Sequence, residues 1–111
     1  MPKPRISARI VLSTAASPEE AGRIGRTLVE ERLAACATLV PGVQSIYPWK
    51  GAIESAAETL LLLKTSASRI AALEARLQEL HSYETPEFLV LDVKHGSRGY
   101  LDWLQAWLKR R

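Results

Sequence analysis

The sequence predicts an α+β domain, and three patterns within its 111 residues support this fold class. Apolar and polar residues alternate over 6–12, as expected for a strand with one buried face. The unbroken leucines 60–63 suit a strand buried on both faces. Three other segments repeat apolar residues at helical spacing. A chain of this length can bury enough surface to fold as one domain, 1–111, in which we expect residues 1–5 to be flexible.

The first half of the chain contains a strand, a helix and a second strand. After the strand at 6–12, Ser17 is placed to cap a helix, with Pro18 at the first helical position and Glu20 able to reach back towards the cap. The apolar residues at helical spacing in this segment continue to Leu33. The next strand, 35–49, contains Pro41-Gly42, which predicts a bulge or bend.

The second half returns through a hairpin and repeats the strand and helix order. Lys50-Gly51 forms the hairpin tip, and the return arm ends in the leucine-rich strand. A helix follows over 70–80, then a strand over 88–93, then a terminal helix after Gly96-Ser97. The resulting βαββαβ order is that of a ferredoxin-like sandwich, here with an extra C-terminal helix and a long bent hairpin between the second and third strands.

Composition excludes several classes of function. The net charge of +3 is smaller than the cationic excess at the chain ends, so the middle of the chain lacks the basic cluster of a nucleic-acid surface. No apolar run is long enough to span a membrane, and no secretory signal is visible. Cys36 is the only cysteine, so an intrachain disulfide is excluded. We therefore expect a cytoplasmic protein.

The segment 81–87 is the main candidate for chemistry. Its His81 and Glu84 carry the nitrogen and oxygen donors that suit copper or zinc, and a turn can bring them together. Glu87 and Asp102 are candidate additional ligands. The alternative is structural: His81 caps the carbonyls at the end of its helix, and Glu84 pairs with a cation.

Cys36 is interpreted as a small buried core residue, with a reactive thiol as the alternative. A catalytic thiol would need a neighbouring base. His81 and His95 are the only histidines, and neither lies in a recognisable catalytic motif. His95 is most simply interpreted as a loop residue. The prediction is that the protein is not an enzyme.

Tyr47 and Trp49 lie on one side of the long ribbon, near its tip, where a two-stranded ribbon cannot cover them. We expect a neighbouring copy of the chain to cover them; the alternative is packing under their own helices. Trp103 and Trp107, one helical turn apart, are expected in the core or at an interface.

Several motifs together resemble the CutA divalent-cation tolerance family over about residues 10–108. The matching segments are Leu33-Ala34-Ala35-Cys36, Ser45-Ile46-Tyr47-Pro48-Trp49-Lys50-Gly51, Lys64-Thr65, His81-Ser82-Tyr83-Glu84-Thr85-Pro86-Glu87 and Tyr100-Leu101-Asp102-Trp103. The resemblance implies a cytoplasmic homotrimer of ferredoxin-like protomers, related in architecture to PII signalling proteins and linked to copper and other divalent ions. No enzymatic activity is established for the family. Copper-binding relatives carry a cysteine and a histidine where this chain has Ser13 and Leu80.

The predicted function is that of a CutA-like homotrimer that binds copper or another divalent ion at clefts between subunits. His81 and Glu84 are the candidate ligands, and the predicted cleft or interface residues are Cys36, Tyr47, Trp49, Tyr83, Glu87 and Trp103. A protein partner is a further expectation, whereas nucleic acid and membranes are not expected as partners. The alternative function is a PII-like trimeric signalling module that binds a small anionic ligand.

Overall fold

A computed structural model describes residues 6–109 of the chain. The expectation that residues 1–5 are flexible lies outside this range. The regular elements are β1 (Ala8–Ala15), α1 (Pro18–Glu30), β2 (Cys36–Trp49), β3 (Ala52–Ser66), a short 3₁₀ turn (Ala67–Arg69), α2 (Ile70–Leu80), β4 (Leu89–Asp92) and α3 (Arg98–Lys109). The described part of the chain therefore has the predicted α+β class and the βαββαβ order with one added helix.

The strands form one antiparallel sheet in the order β2-β3-β1-β4, so β3 and β1 are central, as expected of the leucine-rich strand. β1 extends further than predicted, because Ser13, Thr14 and Ala15 continue the ladder against β3. β4 is shorter than predicted, since its ladder with β1 has only four paired positions. The register between β2 and β3 shifts between Val40 and Val43, which confirms the bulge predicted at Pro41-Gly42.

The main core lies between one face of the sheet and the helices α1 and α2. Its fully buried members include Val11, Leu61 and Leu63 from the sheet and Ile24 and Leu73 from the helices. The first helix ends at Glu30, before Leu33, and Arg32 then adopts a left-handed backbone with φ 61°. The apolar residues of α1 and α2 thus cover one side of the sheet only.

The third helix packs beside this core through a second cluster that contains Ala35, Leu104 and Leu108. Trp107 donates its ring N–H to the Val29 carbonyl oxygen at 2.9 Å. The Arg32 guanidinium lies 3.4 Å from the centre of the Trp107 ring and donates to the Trp107 carbonyl oxygen. These contacts fix α3 against the end of α1.

The opposite side of the sheet, which we call the open face, carries mainly apolar residues, together with Thr38 and Lys64. The cross-strand register places Val40, Leu60, Leu62, Ile10, Leu12, Leu89 and Leu91 on it. Leu89 is 56% exposed and Leu91 is 47% exposed. The prediction that the leucine run is buried on both faces is therefore wrong for the isolated chain: Leu61 and Leu63 are buried, whereas Leu60 and Leu62 are only half-buried because no helix covers them.

Candidate functional site

The turn that follows α2 holds His81 through both of its ring nitrogens. Its Nε2–H donates to the Thr14 carbonyl oxygen at 2.7 Å, and Nδ1 accepts from the Tyr83 backbone N–H at 3.0 Å. These two bonds define the neutral tautomer that is protonated at Nε2. The imidazole is fully buried. It therefore joins the end of α2 to the end of β1.

Glu20 is a buried carboxylate that sequence reasoning assigned only to the helix cap. As predicted, the Ser17 hydroxyl accepts from the Glu20 N–H at 3.1 Å, and Glu20 reaches back, in this case to the Ala16 N–H at 3.3 Å. Its other oxygen accepts from the Ser82 N–H at 2.8 Å and lies 3.8 Å from His81 Nδ1. Glu20 thus joins the start of α1 to the His81 turn.

Opposing effects act on the pKa of Glu20. Burial raises this pKa, but hydrogen bonds from Ser82 and Ala16 lower it, and the net result is a pKa below the usual value. The carboxylate is consequently ionised at neutral pH and accepts hydrogen bonds from both segments.

Tyr83 connects the same turn to the open face of β3. Its hydroxyl donates to Glu58 at 2.6 Å, and its ring centre lies 4.7 Å from that of His81. The pKa of Tyr83 is strongly raised, first by burial and then by the bond to Glu58, with a further contribution from nearby Tyr47. The turn and the ribbon that carries Tyr47 therefore meet at Tyr83.

The predicted metal ligands differ in their surroundings. His81 is buried, whereas the carboxylates of Glu84, Glu87 and Asp102 lie on exposed residues. Between residues 6 and 109 no three His, Cys, Asp or Glu side chains are grouped closely enough to hold a metal ion. A metal site with three or more protein ligands at this turn would therefore need donors from outside the described part of the chain.

The alternative roles for these two residues do not match the contacts found. The His81 ring bonds Thr14 of β1, so it does not cap the carbonyls of α2 through its side chain. Glu84 forms no ion pair within the described range; instead its carbonyl oxygen accepts from the Gln78 side chain at 2.8 Å. The capping alternative for the His81 side chain is therefore wrong, because the ring bonds Thr14, a residue remote in sequence.

Two further residues noted in the sequence, Ser13 and Leu80, lie in or beside the core. Ser13 is fully buried, and its hydroxyl has no hydrogen-bond partner among the described residues. Leu80 is half-buried and packs against the main core. Neither side chain supplies a strong ligand for copper.

Cys36 is half-buried, so the prediction of a buried core position is wrong. It begins β2 opposite Lys64 of β3, on the open face, where no helix covers it completely. Its sulfur lies 3.7 Å from Lys64 Nζ and 3.7 Å from the Thr38 hydroxyl. Tyr100 from α3 lies beside the same thiol, and both burial and Cys36 raise the pKa of Tyr100.

The aromatic residues of the ribbon and of α3 are uncovered in the isolated chain. Tyr47 is 38% exposed and Trp49 is 58% exposed, so the alternative that both pack under their own helices is wrong. Trp103 is 52% exposed and contacts Tyr100 at a ring separation of 5.5 Å. Trp107, in contrast, is packed against Arg32 and Val29.

These features define a small α+β protein of ferredoxin-like topology with an uncovered aromatic ribbon beside a buried histidine turn. The profile of the CutA1 divalent ion tolerance protein family matches residues 9–107. The chain belongs to this family.

Three relatives illustrate the match. The divalent-cation tolerance protein CutA of Thermus thermophilus is 47% identical over 96 residues, which cover 86% of this chain and 93% of the relative. The crystal structure of CutA from Xylella fastidiosa has a TM-score of 0.91 at 40% identity, covering 93% and 99% of the two chains. A structure described as the periplasmic divalent cation tolerance protein CutA from Archaeoglobus fulgidus has a TM-score of 0.89 at 33% identity, covering 92% and 99%.

Within residues 6–109, none of the helices has the length and apolar character needed to cross a membrane.

Proposed function

We propose that the protein is a homotrimeric divalent-cation tolerance protein that binds copper or another divalent ion at the clefts between its subunits. One observation carries the proposal: the uncovered ribbon and the His81 turn meet where the Tyr83 hydroxyl donates to Glu58 of β3 at 2.6 Å. A neighbouring chain that covers the ribbon would therefore lie next to His81 and Glu84. The role is ion binding and not catalysis.

The trimer is supported by the amount of apolar surface that one chain leaves exposed. The exposed fractions are 71% for Ile46, 58% for Trp49 and 74% for Ile53 on the ribbon, and the open face adds Leu89 and Leu91. A closed ring of identical subunits can cover both regions and can pair the free backbone groups of the edge strands. Burying a large aromatic side chain contributes on the order of 2 kcal/mol before ordering costs.

The ion site would be completed only in the assembly. His81 and Glu84 supply a nitrogen and an oxygen donor, and the neighbouring subunit would supply the others. Both His81 nitrogens already have partners, so ligation through Nδ1 requires the Tyr83 N–H to give up its bond. Ion binding should therefore be coupled to the conformation of the turn 81–83.

Calorimetric titration of Cu(II) into the metal-free protein tests this proposal. We expect His81→Ala to lower the affinity at least tenfold and His95→Ala, the matched control on an exposed loop histidine, to leave it unchanged. Glu84→Gln should weaken binding, whereas Glu74→Gln, on an exposed helical position, should not. Equal affinities for wild-type protein and a folded His81→Ala variant would remove His81 as a ligand.

We also propose the cytoplasm as the compartment and an as yet unidentified protein as a further partner. The free thiol of Cys36 supports a reducing compartment. The Archaeoglobus fulgidus relative is described as periplasmic, so fractionation of cells that express this protein is the direct test.

A further inference from the structure

A cavity of about 330 Å³ is lined by the 3₁₀ turn that follows β3, by the residues just before β1 and by the C-terminal half of α3. Small-molecule sites in proteins have volumes of about 300–1,000 Å³, so the cavity fits a small ligand. Because β3 runs from Ala52 at the ribbon tip to Ser66, the cavity lies at the end of β3 remote from that tip. None of its lining residues belongs to the ribbon tip or to β4, where the proposed subunit contacts lie.

The cavity has an excess of positive charge. Arg69 and Lys109 line it, and no acidic residue is among its lining residues. Within residues 6–109, neither of these cations forms an ion pair. The half-buried Arg69 donates through Nη2 to the Leu108 carbonyl oxygen, which holds the guanidinium beside α3. Its other N–H groups have no partner in the described part of the chain, so they are free to bind an anion.

Two serine hydroxyls add donors to the same cavity. Ser66 is only 5% exposed, and its side chain does not cap the 3₁₀ turn that it precedes. Instead its hydroxyl lies 3.0 Å from that of Ser68, and this is the one hydrogen bond that either side chain forms among the described residues. The pair carries two hydrogens, and the bond between the hydroxyls uses one of them. The second hydrogen is therefore available to an oxygen acceptor in the cavity.

We propose that this cavity binds phosphate, either as the free ion or as the phosphate group of a small molecule. A guanidinium such as that of Arg69 pairs with phosphate through parallel N–H bonds, and Lys109 supplies a second positive charge. A phosphate monoester carries a charge of about −1.5 to −2 at pH 7, which matches two cations better than the single charge of a carboxylate. The inference goes beyond divalent-ion binding, uses none of the proposed metal ligands, and holds or fails independently of them.

Titration calorimetry on EDTA-treated protein tests the proposal without any metal. The probes are inorganic phosphate and glycerol 3-phosphate, and the one that binds more tightly distinguishes the free ion from a phosphate monoester. We expect acetate to bind at least tenfold more weakly than either, and Arg69→Gln to weaken phosphate binding at least tenfold, because a charge-assisted pair is lost. Arg23→Gln, exposed on α1 and with the same change in charge, is the matched control and should bind like the wild type.

Lys109→Gln provides an independent variant if Arg69→Gln unfolds through loss of the bond to Leu108. Lys109 is exposed, so its substitution should leave the thermal midpoint of the phosphate-free protein nearly unchanged while weakening phosphate binding several-fold. Lys94→Gln, on an exposed loop, is its control. Saturating phosphate should raise the midpoint of the wild type and of both controls. The proposal is overturned if phosphate does not bind the wild type, if acetate binds as tightly as phosphate, or if a folded variant at Arg69 or Lys109 binds phosphate with wild-type affinity.

Discussion

Individual polar side chains hold together the segments around the His81 turn. Glu20 accepts from Ser82, His81 bonds Thr14, and Tyr83 bonds Glu58. Each contact satisfies a group that would be costly to bury alone. These residues thereby position the turn whether or not an ion is present, and a role for His81 in ion binding would be added to its structural role.

Tyr83→Phe tests the contribution of one such contact. The substitution removes the hydroxyl that donates to Glu58, a residue only 9% exposed, and keeps the aromatic ring. A buried acceptor that loses its partner costs about 1–3 kcal/mol. We expect the free energy of unfolding to fall by that amount in urea denaturation at pH 7. A variant as stable as the wild type would show that water replaces the hydroxyl at no cost.

The same pair predicts a dependence of stability on alkaline pH. The pKa of Tyr83 in the folded protein lies well above the value of about 10 expected in the unfolded chain. As the pH rises above 10, the unfolded chain releases this proton and the folded chain retains it, so the stability from the Tyr83 contact is lost. The difference in unfolding free energy between wild type and Tyr83→Phe should therefore shrink from pH 9 to pH 11. A constant difference would contradict the assignment.

The packing of α1 on β2 depends on a glycine that allows close approach. A Cβ atom at Gly25 would lie 2.9 Å from the Ala37 Cβ, whereas one at Gly22 would have no neighbour closer than Leu39 at 3.9 Å. Both glycines lie within the same helix. Comparing alanine substitutions at these two positions therefore separates the effect of helix propensity on stability from the effect of packing.

We expect Gly22→Ala to raise the free energy of unfolding by up to about 1 kcal/mol, because alanine favours the helix. Gly25→Ala gains the same propensity but forces α1 away from β2, and overpacking typically costs 1–3 kcal/mol. It should consequently be less stable than Gly22→Ala by about 1–3 kcal/mol in thermal or urea denaturation. Equal stabilities would mean that the helix shifts without loss of packing.

Elements that depend on local chemistry could be predicted from the sequence. Ser17 and Pro18 fix the start of α1 at the predicted residue, and Pro41-Gly42 marks the bulge because proline cannot donate to the ladder. The predicted ends of the strands were less accurate than the predicted start of α1. β1 continues through Ser13 and Thr14, residues without apolar alternation, because its length is set by the partner strand β3.

The candidate site was less predictable, because its contacts join residues remote in sequence. Ser82 lies 62 positions from Glu20, and Tyr83 lies 25 positions from Glu58. No local pattern signals such pairs. The buried core position expected for Cys36 was wrong, since alternation along β2 does not reveal which face of the sheet the helices leave uncovered.

The shape of the described chain is unusually extended for its size. Its dimensions are 56 × 26 × 22 Å and its radius of gyration is 15.1 Å, whereas a compact domain of this length has a radius of about 13 Å. The long β2 and β3 ribbon accounts for the difference. Its exposed Tyr47 and Trp49 side chains continue the open face, whereas Ile46 and Ile53 are exposed on the other side of the ribbon. Exposed apolar residues on both sides of the ribbon indicate an interaction surface.

Charge placed on the open face tests whether this surface is covered in solution. Leu89→Glu and Leu91→Glu alter residues that are 56% and 47% exposed in the isolated chain, so they should cost a monomer little. In a trimer that buries these residues, each substitution places an unpaired carboxylate in an apolar interface, and symmetry repeats that carboxylate in all three subunits. Light scattering should give the wild type about three times the 12.3 kDa chain mass and the double variant the mass of a single chain. Ala72→Glu, exposed on α2, is the control and should keep the trimer mass. A wild type of single-chain mass at micromolar concentration would contradict the trimer, and a double variant of trimer mass would place the interface away from β4.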